Sequence, residues 1–186
     1  MNAYRLPVTV PIGGRDFVIR SDFRVVLDVL MALNDPDLDD EAKGVLILQC
    51  MYPRWNEIPP EHVQQALQAA CDFIDCMQAD DGKHKPRTID WEQDAALIIP
   101  SVNKVAHMEV RSLPYLHWWT FFGYFMEIGE GLLSNVLSIR IKKATHKKLD
   151  KWEQEFYRDN KSIIDLRTRD SEEVREEKES ILAFLD

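Results

Sequence analysis

Residues 8–31 read VTVPIGGRDFVIRSDFRVVLDVLM, and the hydrophobic period changes within them. Val8-Thr9-Val10 and Phe17-Val18-Ile19 are short β-prone runs on either side of Pro11, Gly13 and Gly14. Glycine supplies the positive φ that a tight turn demands, so this half predicts a β-hairpin. From Phe23 onward, Val26, Leu27, Leu30 and Met31 repeat at helical spacing, with Ser21 or Asp22 placed to cap. Strand gives way to helix near Ser21. Everything downstream keeps the helical period, so the expected fold class is mainly α, a multi-helix globular domain with a short N-terminal β-hairpin. The expected organisation is a hairpin over residues 1–20, a helical core over 21–160 and an acidic helical tail over 161–186.

Working outward, residues 35–41 form a turn with five acids, the last of which suit the positive end of the next helix dipole. That helix carries Val45, Leu46 and Leu48 and should stop before Pro53. Pro59-Pro60 opens a third helix in the manner proline is tolerated at a first turn. Residues 79–87, ADDGKHKPR, have the composition of a loop. Asp90 lies three residues before Gln93, a capping-box pattern ahead of the apolar run 95–105, in which Pro100 should cause a kink or a split. The most aromatic helix follows Pro114 and runs to Met126. Gly129 and Gly131 break it before a helix over 132–141, and residues 147–157 place Leu149, Trp152 and Phe156 on one face.

The chain has 186 residues, the length of one domain or of one domain with an appendage. Apolar residues make up 45%, enough to build a core and to argue against wholesale disorder. A net charge of −9 argues against nucleic acid as a partner, because phosphate binding rewards a basic surface. No apolar run reaches the ~18 residues of a membrane span, and the first ten residues lack a signal-peptide pattern. Cys50, Cys71 and Cys76 make no disulfide framework, which points to a reducing compartment.

Several patterns mimic chemistry and fail on spacing. Residues 129–134, GEGLLS, resemble the start of a dinucleotide fingerprint with Asp150 downstream, but no βαβ unit surrounds them, and a helix–helix turn explains them better. Asp35, Asp37 and Asp39 mimic calcium ligands. The loop then has Asp40 where glycine is required and Leu46 where a bidentate Glu is required. Cys71 and Cys76 point about 140° apart on a helix, and with His62 and His84 they lack zinc spacing. His107, His117 and His146 could each act as a general base, yet none has a catalytic partner at a recognised spacing. The sequence thus predicts no catalytic, cofactor-binding or metal-binding residue and no enzyme. The alternative in another class is a small helical hydrolase or nucleotide-handling enzyme whose acids and histidines assemble only in space.

The aromatic helix has an apolar face of about half its circumference, so Trp118, Phe122, Phe125 and Phe23 are expected in the core. Phe122→Ala is expected to cost about 3–5 kcal/mol. Trp119, at the edge of that face, is a candidate partner anchor. Residues 140–151 hold six bases against one acid, and residues 170–179 six acids against two bases. Such runs are usually solvated faces, but opposite signs in one chain also permit association between copies, a homo-oligomer. The tail ends in Ile181, Leu182, Phe184 and Leu185, candidate partner-binding residues. Such an anchor suits its own domain or a neighbour's groove, and it is expected to dock on a partner or a second copy while the basic stretch helps receive the acids.

Ile19-Arg20-Ser21-Asp22-Phe23-Arg24, Tyr52-Pro53, Ile89-Asp90-Trp91-Glu92-Gln93-Asp94, Leu116-His117-Trp118-Trp119-x-Phe121 and Ile139-Arg140 together resemble the bacteriophage Gp-fifteen family over roughly residues 5–160. Members look like tail assembly chaperones of long-tailed phages, and the resemblance implies no catalytic site. It implies a chaperone in the host cytoplasm that binds the tape-measure protein, keeps it soluble and recruits major tail (tube) protein around it. A structural protein retained in the virion is the other reading of the same resemblance.

Overall fold

Two consecutive glycines at positive φ, Gly13 (56°) and Gly14 (76°), close the hairpin between β1 (Thr9–Ile12) and β2 (Arg15–Val18). Ile12 faces Arg15 across them, the register of a two-residue turn with left-handed central residues. Antiparallel pairs alternate between bonded and non-bonded positions, and the Ile19 N–H donates to the Val8 carbonyl. Pro11, opposite Asp16, therefore falls on a non-bonded pair, and its missing N–H costs the ladder nothing. Val10, Ile12 and Ile19 are buried in the main core, so the hairpin is built into the body. Gly13 donates its N–H to Gln65 Oε1 at 2.9 Å, and a Cβ there would lie 2.4 Å from the His62 ring.

The computed structural model describes residues 4–77 and 86–167. Helices α1 (Phe23–Ala32), α2 (Asp40–Met51) and α3 (Val63–Ile74) follow the hairpin. They are succeeded by α4 (Ala95–Ala106), α5 (Trp118–Met126), α6 (Leu132–Ala144), α7 (Lys151–Asp159) and α8 (Lys161–Ile164). Short polar side chains start several of them. Asp22 accepts from the Arg24 N–H, Asp39 from Ala42, and Asp150 forms a reciprocal capping box with Glu153. The main core joins β1, α1–α5 and the start of α6 around Phe23, Met51, Phe73, Trp118 and Phe121. A smaller cluster holds Val136, Ile139 and Ile164 between α6, α7 and α8, and Leu97 packs against both clusters. Residues 161–167, placed in the tail by the sequence reading, pack on this body, and Ile164 is fully buried. The rest of that segment lies outside the described residues. No helix among the described residues is long and apolar enough to cross a membrane.

Two sequence expectations need correction, and one pair of alternatives is decided. The aromatic helix starts at Trp118, not just after Pro114, because Asp22 and His117 form an antiparallel bridge. Phe23 donates its N–H to the Leu116 carbonyl at 3.0 Å and Trp118 to that of Ser21 at 2.7 Å, which holds residues 115–117 extended. Phe122 and Phe125 are consequently half-buried, while Phe121 is fully buried and stacks on Phe23 with centroids 4.5 Å apart. Pro100 does not split α4. Pro100 and Ala96, whose carbonyl loses its N–H partner, both lie on the exposed face, where water serves the carbonyl.

Burial ranks the aromatic truncations. Phe121→Ala is expected to cost about 3–5 kcal/mol in urea unfolding, and Phe122→Ala less. Gly13→Ala should cost more than about 1 kcal/mol, since its φ and the His62 ring both oppose a side chain.

Candidate functional site

Two polar junctions hold the body together, and one of them takes up His117, a candidate general base. The first ties the start of α1 to the start of α5. Asp22 caps α1 with one carboxylate oxygen and with the other accepts the Leu116 N–H at 3.2 Å. Arg24 pairs with Asp22 and donates to the carbonyls of Arg111 (3.1 Å) and Leu113 (2.7 Å), while the Ser21 hydroxyl bonds that of Tyr115. His117 caps α5, its Nδ1 accepting the Trp119 N–H at 3.0 Å. That leaves the proton on Nε2, which donates to the Pro7 carbonyl at 2.8 Å. Burial pushes this imidazole below the ordinary histidine range, only partly opposed by the Pro7 bond. Neither ring nitrogen is left for a substrate.

The second junction is centred on Arg140, inward-facing on α6 at 5% exposure. Its Nη1 and Nη2 donate to the two carboxylate oxygens of Asp94 at 2.6 and 2.8 Å. The remaining three N–H groups donate to the carbonyls of Ile164 (from Nε, 2.6 Å), Thr88 (2.9 Å) and Ile163 (2.7 Å). All five guanidinium donors are satisfied. Asp94 also accepts the Asp90 N–H, while Asp90 accepts from Glu92 and Gln93 and pairs with Arg87. The expected Gln93 half of a capping box is thus supplied by Asp94. Gln93 instead bridges to the segment after α8, donating to the Asp165 carbonyl and accepting the Arg167 N–H.

The remaining candidates are dispersed. His107 and His146 sit in left-handed conformations at the ends of α4 and α6, His62 lies against Gly13, and His84 falls outside the described residues. Cys71 and Cys76 are free and pack against the core. Burial raises both thiols, that of Cys76 to about 12, which keeps them protonated and poorly nucleophilic at neutral pH. Among the described residues no three His, Cys, Asp or Glu side chains are arranged to hold a metal. Residues 129–134 link two helices, Ser134 capping α6 through Gly131.

Trp119 is half-buried, its indole N–H donating to the Phe73 carbonyl at 2.9 Å beside the matching bond from Trp118 to Ile74. Ile181, Leu182, Phe184 and Leu185 lie outside the described residues. Half of the basic run 140–151 is occupied internally: Arg140 by Asp94, Lys142 by Glu153 and Lys143 by Asp165. What the surface does offer is apolar. Val8 and Val18 are more than half exposed on the hairpin, as are Met126 at the end of α5 and Trp152 on α7. A groove of about 560 Å³ runs between Pro100 and Val105 of α4 and Ile128 and Leu132 beyond α5, rimmed by Lys104 and Glu127.

A family profile described as "Bacteriophage Gp15 protein" matches residues 3–166. The chain belongs to the bacteriophage Gp15 family. Neither the curated proteins nor the solved structures contain a match to it. The Gp15 match spans both junctions. Of the residues that carry the sequence resemblance, Ser21, Asp22, Arg24, Asp90, Asp94, His117 and Arg140 lie in them. Sequence reasoning missed the Asp94–Arg140 pair. A signal for it existed: Leu133, Val136, Ile139 and Arg140 share one helical face, and a base in an apolar stripe calls for a buried acid.

Truncating Arg140 to Ala leaves Asp94 buried without its counter-charge and should cost about 3–5 kcal/mol in urea unfolding; Arg140→Lys, with three donors, should recover only part. His117 gives the stability a pH dependence. Its native proton affinity is below the unfolded one, so its contribution is full above about pH 6.5 and is lost as pH falls through that value towards the lower native one. His117→Asn keeps a capping acceptor without the titration. The stability gap between wild type and variant should therefore narrow on acidification, as followed by urea unfolding at a series of pH values.

Proposed function

We propose that this chain is a tail assembly chaperone. In the host cytoplasm it binds the tape-measure protein of its phage, keeps that protein soluble and recruits major tail (tube) protein around it. The observation that carries the reading is membership of the bacteriophage Gp15 family over residues 3–166, together with the chaperone role that the sequence resemblance implies. The surface is compatible with it. Exposed apolar side chains are spread over the hairpin, the end of α5 and α7, as many moderate contacts require and as one deep pocket would not. A long helical client can lay apolar stripes on such surfaces, and a chaperone that must later be displaced needs contacts that are weak singly and sufficient in number.

Co-expression with the cognate tape-measure protein should raise the soluble yield of that protein and allow its capture on this chain. No gain in soluble tape measure and no capture would remove the proposal. Mass spectrometry of purified virions separates a chaperone, which leaves before completion, from a structural protein, which stays.

A further inference from the structure

Helix α7 carries an aromatic pair that the body only half uses. Trp152 is 51% exposed and stacks on Phe156 with centroids 5.1 Å apart, while Phe156 packs into the smaller core cluster. Lys147, Lys148 and Lys151 precede this pair in the chain, exposed and without an ion pair among the described residues. The nearby acids are mostly committed. Asp150 caps α7, Glu153 pairs with Lys142 and Asp159 with Arg158, leaving Glu155 exposed. The start of α7 therefore presents an apolar step beside unbalanced positive charge.

The described chain ends beside α7, at Tyr157, which points about 140° away from Trp152 around that helix. Asp165 accepts a hydrogen bond from the Tyr157 hydroxyl and pairs with Lys143. Tyr157 is five residues from Trp152, about 7.5 Å along the helix. Residues 168–186 follow, with acids at 170, 172, 173, 176, 177 and 179 and then Ile181, Leu182, Phe184 and Leu185. The spacer from Arg167 to Ile181 spans about 21 Å if helical and about 46 Å if extended, ample for either path back to α7.

We infer that residues 171–186 bind the α7 surface of their own chain, the acids lying across Lys147, Lys148 and Lys151 and the apolar end covering Trp152. Charge sign and order match: acids precede the apolar anchor in the segment, and lysines precede the tryptophan on the surface. Exposed charge pairs are weak and screened, so they set direction while apolar burial holds the segment. A tether this short gives an effective concentration in the millimolar range, which favours the same chain over a second copy. The inference is independent of the tape-measure reading.

The test is zero-length carbodiimide cross-linking of the full chain in an equal mixture of unlabelled and ¹⁵N-labelled copies, read by mass spectrometry. Cross-links from Lys147, Lys148 or Lys151 to glutamates 172–179 are expected within single-isotope pairs, with yields falling several-fold in high salt, in Trp152→Ala and in Phe184→Ala. Phe184→Ala changes no residue of the described body and so separates docking from folding. No such cross-links, mixed-isotope pairs, which would mean a second copy, or yields unchanged in both variants would overturn the inference.

Discussion

The Arg140 guanidinium is the constraint on which the second half of the structure depends. Desolvating an arginine is costly, and the cost is met only where every donor finds an acceptor in good geometry. Here that requires Asp94 at the start of α4, the Thr88 carbonyl ahead of it and the Ile163 and Ile164 carbonyls of α8 to converge on one side chain of α6. An apolar residue would tolerate small slips between these segments; five directional bonds do not. The pair thus fixes the register of α4, α6 and α8 more than it adds net stability.

The Asp22–His117 junction does the same for the first half. Its side chains cap two helices and close a two-residue bridge, so a strand-like contact is set between helix starts. The indoles of Trp118 and Trp119 then donate to the Ile74 and Phe73 carbonyls, two of the C-terminal groups that a helix leaves without partners. Ser21 to Arg24, Asp90, Asp94, His117 and Arg140 are therefore spent on joining elements. Function has to be sought in the apolar surface those joints leave outside.

Local physics was legible in the sequence and non-local pairing was not. The glycine turn, a cap at Ser21 or Asp22, the acids ahead of α2, the stop before Pro53 and the order of the helices all follow from neighbours within a few residues. The start of α5 was misplaced because the bridge that keeps Tyr115 and Leu116 extended is made with residues some ninety positions earlier. Once that start moved, the most hidden stripe ran through Trp118 and Phe121 and left Phe122 at its margin. Helix α4 tolerates Pro100 because the carbonyl it deprives faces water, which depends on which side of α4 the core lies. Of the candidate anchors, Trp119 was legible as lying at an edge, but its bond to Phe73 was not. No periodicity reports a partner 46 residues away.

The bridge between Asp22 and His117 also dictates an order of events during synthesis. The hairpin and α1 leave the ribosome long before Leu116, whose N–H donates to the Asp22 carboxylate and whose carbonyl accepts the Phe23 N–H. Phe23 must wait equally long for Phe121 to cover it. Each nascent chain therefore passes through a stage in which its N-terminal helices are formed but their inner faces are open. The body can close only after α5 has been translated, so the pace of translation through residues 33–126 sets how long those faces stay uncovered.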